Sequence, residues 1–179
     1  YLNGGGKYRM FFDLMEGVFK DWHTELLDQK NSPENNVYSY LTLDRQVHPQ
    51  VVADSMLGAI PANYDIANKF EQAIEKVKGD VESDDESQKD ENQTMVEFLE
   101  ESQAKFLKCL KGTSGWLAFF YIDIYHRVVS IRIRRPSSKQ RDILLFKPFK
   151  KRTGLFGHGL FSPYESENLK RSNDLLIVT

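Results

Sequence analysis

The stretch Val128-Val129-Ser130-Ile131-Arg132-Ile133-Arg134-Arg135 sorts its side chains by parity. In an extended strand Val129, Ile131 and Ile133 take one face, and Ser130, Arg132 and Arg134 take the other. An aliphatic face belongs against a core; a face of guanidinium groups belongs in water or against an anion. The chain stays basic beyond it. Arg127, Arg132, Arg134, Arg135, Lys139, Arg141, Lys147, Lys150, Lys151 and Arg152 are accompanied by a single acid, Asp142. Lys150-Lys151-Arg152 stands beside Gly154 and Gly157, where backbone can come close to a phosphate. Phe146, Phe149 and Phe156 are interleaved with the cations, as stacking on nucleobases requires. This pattern points to a nucleic acid held by Arg127, Arg132, Arg134, Arg135, Lys147, Lys150, Lys151 and Arg152. The competing reading of the same residues makes the phenylalanines core and the cations a solvated face.

Other chemistry finds little support. His23, His48, His126 and His158 show no paired metal-ligand spacing. Cys109 sits on an expected helix among apolar neighbours, and Asp123 reads as a turn residue at a strand end. Walker, dinucleotide-binding and nucleophile-elbow motifs are missing from the sequence. One cysteine in 179 residues excludes an internal disulfide and fits a reducing compartment, the cytoplasm. The longest apolar run, Trp116 to Ile122, is too short to span a membrane. The formal net charge of −2 conceals an asymmetry. Residues 1–111 carry 12 basic and 21 acidic side chains, a balance of −9, whereas residues 112–179 carry 12 and 5, a balance of +7. A basic half implies an anionic partner for that half.

The elements that position these residues read as α+β, helices first and a largely antiparallel sheet after them. Residues 1–9 read as a linker or remnant outside the fold. Phe11, Met15, Val18, Trp22 and Leu26 recur at helical spacing over 10–27. Ser32 and Pro33 predict a second helix to about Leu43. Pro49 opens a short one that ends before Gly58, and Ile66, Phe70, Ala73 and Val77 mark a fourth. Residues 10–78 are thus expected to be helical. Residues 79–93 hold seven acids and predict a disordered acidic linker. Thr94 and Glu97 form a capping box that predicts a helix to about Lys111. From Trp116 the period becomes two: strands are predicted at 116–125, 126–135 and 142–149, then a helix opening at Ser162 and a last strand at 174–179. Residues 94–179 form the basic α+β part.

Taken in order, these segments resemble the N-terminal segment of the catalytic core of bacterial-type, toprim-containing DNA primases. The helix at 11–29 is followed by Tyr40-Leu41 where the family has "YL", and by Leu43-Asp44-Arg45 where "ERG" is usual. Val47 and Pro49 come next, Met56-Leu57-Gly58 sits at "FxLG", and Ile60-Pro61 at "YAP". The stretch 117–135 is similar to the family's "FPIxDxxGRVVGFxGRR", with Asp123, Arg127, Val128, Val129 and Arg134 at matching positions. Residues 154–161 resemble "PLFxKGxxLYGL", and 173–179 resemble the first toprim strand. The likeness covers nearly the whole chain from about residue 10. His126 stands where a turn glycine is usual, and Arg132 where a small residue is. The segment 146–154 occupies the place of "KYxNSPET", with Lys147, Lys150 or Lys151 in the role of its lysine. The acidic segment reads as an insertion in a divergent, mobile-element or phage-like member.

The resemblance implies a subdomain that binds single-stranded DNA template and guides an RNA–DNA primer–template to a toprim active site beyond Thr179. The parent protein would be a DNA-directed RNA polymerase, a nucleotidyltransferase acting in DNA replication, with a replicative helicase as a further partner and no membrane. Mg or Mn would sit in the toprim domain, Zn in a module before this segment, and no cofactor in the segment itself. Catalytic and metal-ligating residues are accordingly expected elsewhere. Two alternatives stand beside this reading. One is a non-catalytic protein-interaction domain docking an acidic partner. The other is a self-contained enzyme using His158 or Asp123.

Overall fold

A computed structural model describes residues 8–32, 35–79, 86–123, 127–137 and 143–146. The helix after Ser162 and the strand at 174–179 lie outside the described residues. The fold is α+β. Helices α1 (Arg9–Asp28), α2 (Val37–Ser39), α3 (Pro49–Ala53), α4 (Ile66–Gly79) and α5 (Glu86–Leu110) accompany strands β1 (Leu57–Ala59), β2 (Leu117–Ile122), β3 (Val128–Arg134) and β4 (Ile143–Phe146). The strands form one sheet in the order β1-β2-β3-β4, antiparallel throughout.

The apolar stripe of α1 is the core of the molecule. Phe11, Met15, Val18 and Trp22 are fully buried against one face of the sheet, where Ala118, Phe120, Ile122, Val128, Ile131 and Ile133 are also buried. Phe120 meets Trp22 edge-to-face at 5.7 Å and Phe19 at 5.0 Å. Phe70 of α4 meets Phe106 of α5 at 5.4 Å, and Gln103 Nε2 donates to the Ala67 carbonyl at 3.1 Å, so these two helices pack on each other. Tyr64 ties the start of α4 to α1. Its hydroxyl donates to Asp21 Oδ2 at 2.8 Å, and Lys69 Nζ reaches the same oxygen at 2.8 Å.

Four expectations change. Residues 57–59 were expected within the helical part and instead form the edge strand β1. Three residues are too few to show alternation, and both faces of this strand are buried. Residues 86–93, expected in a disordered linker, are the first turns of α5. The buried stripe Met95, Val96, Leu99 and Phe106 farther along anchors the helix that these acidic turns begin. Thr94 therefore does not open a helix; inside α5 its hydroxyl donates to the Asp90 carbonyl at 2.8 Å. The second helix is capped by Asn36, whose Oδ1 accepts from the Ser39 amide at 2.8 Å, and it continues as a π-helical turn over Tyr40–Asp44. Pro33 lies outside the described residues. Finally, strict parity fails in β3. Tyr121 pairs with Ser130 and Ile122 with Val128, so Val129 is the extra residue of a bulge. Val128, not Val129, aligns with Ile131 and Ile133, and Ser130 is buried rather than facing water.

Gly58 sets the distance between α1 and β1. A Cβ there would lie 2.9 Å from Trp22 Cβ and 3.0 Å from the Trp22 backbone carbon. Neither atom is the end of a flexible side chain. Gly58→Ala should therefore lower stability by about 1–3 kcal/mol through overpacking, read as a lower denaturant midpoint at unchanged m. A midpoint equal to wild type would refute the close approach. Tyr64 makes a second prediction. Burial first, then the hydrogen bond to Asp21, then that carboxylate's charge push the phenol above its ordinary value of 10.0. The stabilisation linked to its proton is present below about pH 10 and falls as pH rises past the point where unfolded tyrosine ionises. Tyr64→Phe should remove that part of the alkaline loss, measured as the difference in unfolding free energy between the variants from pH 8 to pH 11.

Candidate nucleic-acid interface

The sheet has a second face, and a small cluster covers one end of it. Register places Leu57 opposite Phe119 and Ala59 opposite Leu117, then Phe119 opposite Arg132 and Leu117 opposite Arg134. Leu57, Ala59 and Leu117 are buried with Leu26, Val37, Leu41 and Val52, which come from the end of α1 and from the 37–53 segment. This covering holds because His23 spans it. Its Nδ1 is 2.7 Å from the Leu57 carbonyl oxygen and its Nε2 3.1 Å from the Ala53 carbonyl oxygen. A neutral ring donates to one of these acceptors, and the imidazolium to both.

The covering decides what each arginine of β3 meets. Arg134, opposite Leu117 at the covered end, is half-buried, and its Nε is out of solvent. Arg132, one pair farther along, is exposed, and its guanidinium carbon lies 5.5 Å from the centroid of the Tyr121 ring. Arg135, just past the strand, is exposed as well. The expected arginine face is thus open at Arg132 and largely closed at Arg134.

Arg127 has a different setting. Its Nε and Nη2 donate to Asp123 Oδ2 at 2.9 and 2.6 Å, and its backbone amide donates to Asp123 Oδ1 at 3.0 Å. The Asp123 amide donates back to the Arg127 carbonyl at 3.0 Å, and the guanidinium lies over the Phe12 ring at 4.8 Å. The pair closes the connection from β2 to β3 and fastens it to α1. Arg127, expected as a phosphate contact, spends two donors on a neighbouring carboxylate, and Asp123 is spent on the same contact.

Lys147, Lys150, Lys151 and Arg152 lie outside the described residues, as do His126, His158, Phe149 and Phe156. The site therefore leaves Arg132 exposed on the outer face, sets Arg134 at its covered margin with the exposed Arg135 just past the strand, and leaves Arg127 apart. Sequence reasoning overlooked Phe119 and Tyr121, which share the outer face with Arg132 and are half-buried. Parity applied to β2 would have found them: Leu117, Phe119 and Tyr121 alternate with the core residues Ala118, Phe120 and Ile122. Among the described residues no group of three or more His, Cys, Asp or Glu could hold a metal ion, and no helix is long and apolar enough to cross a membrane.

The Asp123 and Arg127 side chains are 20% and 35% exposed, so their pairing is only partly screened by water. Asp123→Ala and Arg127→Ala should each lower stability by about 1.5–2 kcal/mol, the low end of the range for hydrogen bonds to charged groups, because both side chains keep some contact with water. Denaturation of the two single variants and the double variant should give a coupling energy of at least about 0.5 kcal/mol; additive losses would show that the pair contributes nothing as a pair. Comparison of the chain with family models, with curated proteins and with solved structures finds no match.

Proposed function

We propose that this chain is the N-terminal subdomain of a DNA primase catalytic core, acting in the cytoplasm to hold single-stranded DNA template. On this reading it guides the primer–template toward carboxylates of a toprim domain that follows. The observation that carries the reading is the exposure of Arg132 on the outer sheet face, with Arg135 exposed just past the end of the same strand, within a half of the chain whose charge balance is +7. The residues matched to the family support it: Asp123 and Arg127 clasp each other at the turn between two strands, a structural use of a paired aspartate and arginine. Template-binding residues would be Arg132 and Arg135, with Arg134 at the margin and Lys147, Lys150, Lys151 and Arg152 continuing the strip. Mg or Mn would be held by the toprim carboxylates and Zn by a preceding module, and a replicative helicase would be a further partner.

A protein-interaction domain docking an acidic partner is the second reading. It draws on Leu43 and Val51, which are 73% and 56% exposed. Competition separates the two, because a protein interface would ignore unlabelled oligonucleotide.

For about five phosphate contacts on a single strand, log affinity should fall against log salt with a slope near −3.5. Arg132→Ala with Arg135→Ala should weaken binding and reduce the magnitude of that slope by about 1.4, or about 0.7 per lost contact, with folding intact because both side chains are exposed. Anisotropy titration of a labelled oligonucleotide over a salt series measures it. An unchanged slope and affinity would remove these arginines from the interface.

A further inference from the structure

The outer face offers more than charge where Arg132 crosses Tyr121. Tyr121 pairs with Ser130, a small and fully buried residue, and Arg132 lies two positions farther along the same face. The Arg132 side chain extends diagonally across the face and brings its guanidinium over the Tyr121 ring at 5.5 Å. Phe119 lies directly opposite Arg132 and is half-buried. The tyrosine is anchored half-buried in the sheet, and the guanidinium above it belongs to an exposed side chain.

A cation that only meets phosphates gains nothing from an aromatic beneath it. A planar guanidinium that lies over an aromatic on one side can take a further π-system on its other side. We infer that Arg132 and Tyr121 form a stacking platform for a nucleobase, so that this face selects single strands by their unpaired bases as well as by their phosphates. The inference rests on the nucleic-acid reading above and assigns that site its ligand class. In a duplex the base faces are stacked on one another and cannot reach the platform, whereas every base of a single strand carries a π-face to offer, so the preference is for strandedness and not for sequence. The positive balance of this half of the chain complements the polyanion that brings the base in.

The test compares two labelled oligonucleotides of equal length and charge, one of thymidines and one of abasic tetrahydrofuran units, titrated against the full chain over a salt series. The wild-type chain should bind the base-bearing strand roughly fivefold or more tightly, the low end of what one stacked base contributes. Arg132→Lys keeps the charge and loses the plane, so it should keep the salt slope and close most of the gap between the strands. Tyr121→Leu, checked for native circular dichroism, should also close the gap. Equal wild-type affinity for the two strands overturns the platform while leaving phosphate binding in place, as does a gap that survives Arg132→Lys. Failure of both strands to bind at low salt overturns the nucleic-acid reading and the platform with it.

Discussion

The seating of Trp22 on Gly58 is the constraint from which the other arrangements follow. Helix α1 can lie on the edge strand only where that strand has no Cβ. At that distance one helix supplies two cores: Phe11, Met15, Val18 and Trp22 enter the main one, and Leu26 enters the cluster on the opposite face. Interiors packed this tightly transmit a displacement instead of absorbing it. Moving α1 outward by the width of a methyl group would withdraw Leu26 from Val37 and Leu41 and would carry His23 away from both of its carbonyl partners.

That second cluster determines how the arginines differ. The same strand presents Arg132 and Arg134 on the same face, two residues apart, yet one stands in water and the other is half-covered. A cation in water attracts a polyanion at little cost in desolvation, whereas one beside apolar side chains has already lost part of its hydration and much of its freedom. Arg127 is a third case, its charge balanced locally by Asp123. Counting basic residues along the chain therefore overstates the field that a ligand meets. What matters is which of them the packing leaves at the surface.

Much of this was legible in the residues. The stripes Phe11–Leu26 and Ile66–Val77 carried helical periodicity strong enough to be read, and the apolar run after Trp116 announced the sheet. The rest depended on contacts that no local pattern records. Leu57-Gly58-Ala59 is a strand because β2 pairs with it and α1 covers it, and its three residues contain no period. The acidic start of α5 was read as repulsion alone, since the apolar stripe that continues the same helix, from Met95 to Phe106, lies farther along. The bulge at Val129 takes that residue out of register, so Ser130, Arg132 and Arg134 were placed correctly on the outer face while Val129 was not, and Ser130 turned out buried there. Of the interface, the charge was visible and its aromatic companions were not, because the aromatics come from the neighbouring strand.

The imidazole of His23 has a consequence for the sheet as a whole. Gly58 and its neighbours turn alternate peptide groups toward β2, and the Leu57 carbonyl turns the other way, where the ring receives it. A margin whose outward acceptor is already engaged is a poor template for another chain. Recruitment of a further strand along β1 is thereby disfavoured, so that a histidine in a helix closes one side of the sheet.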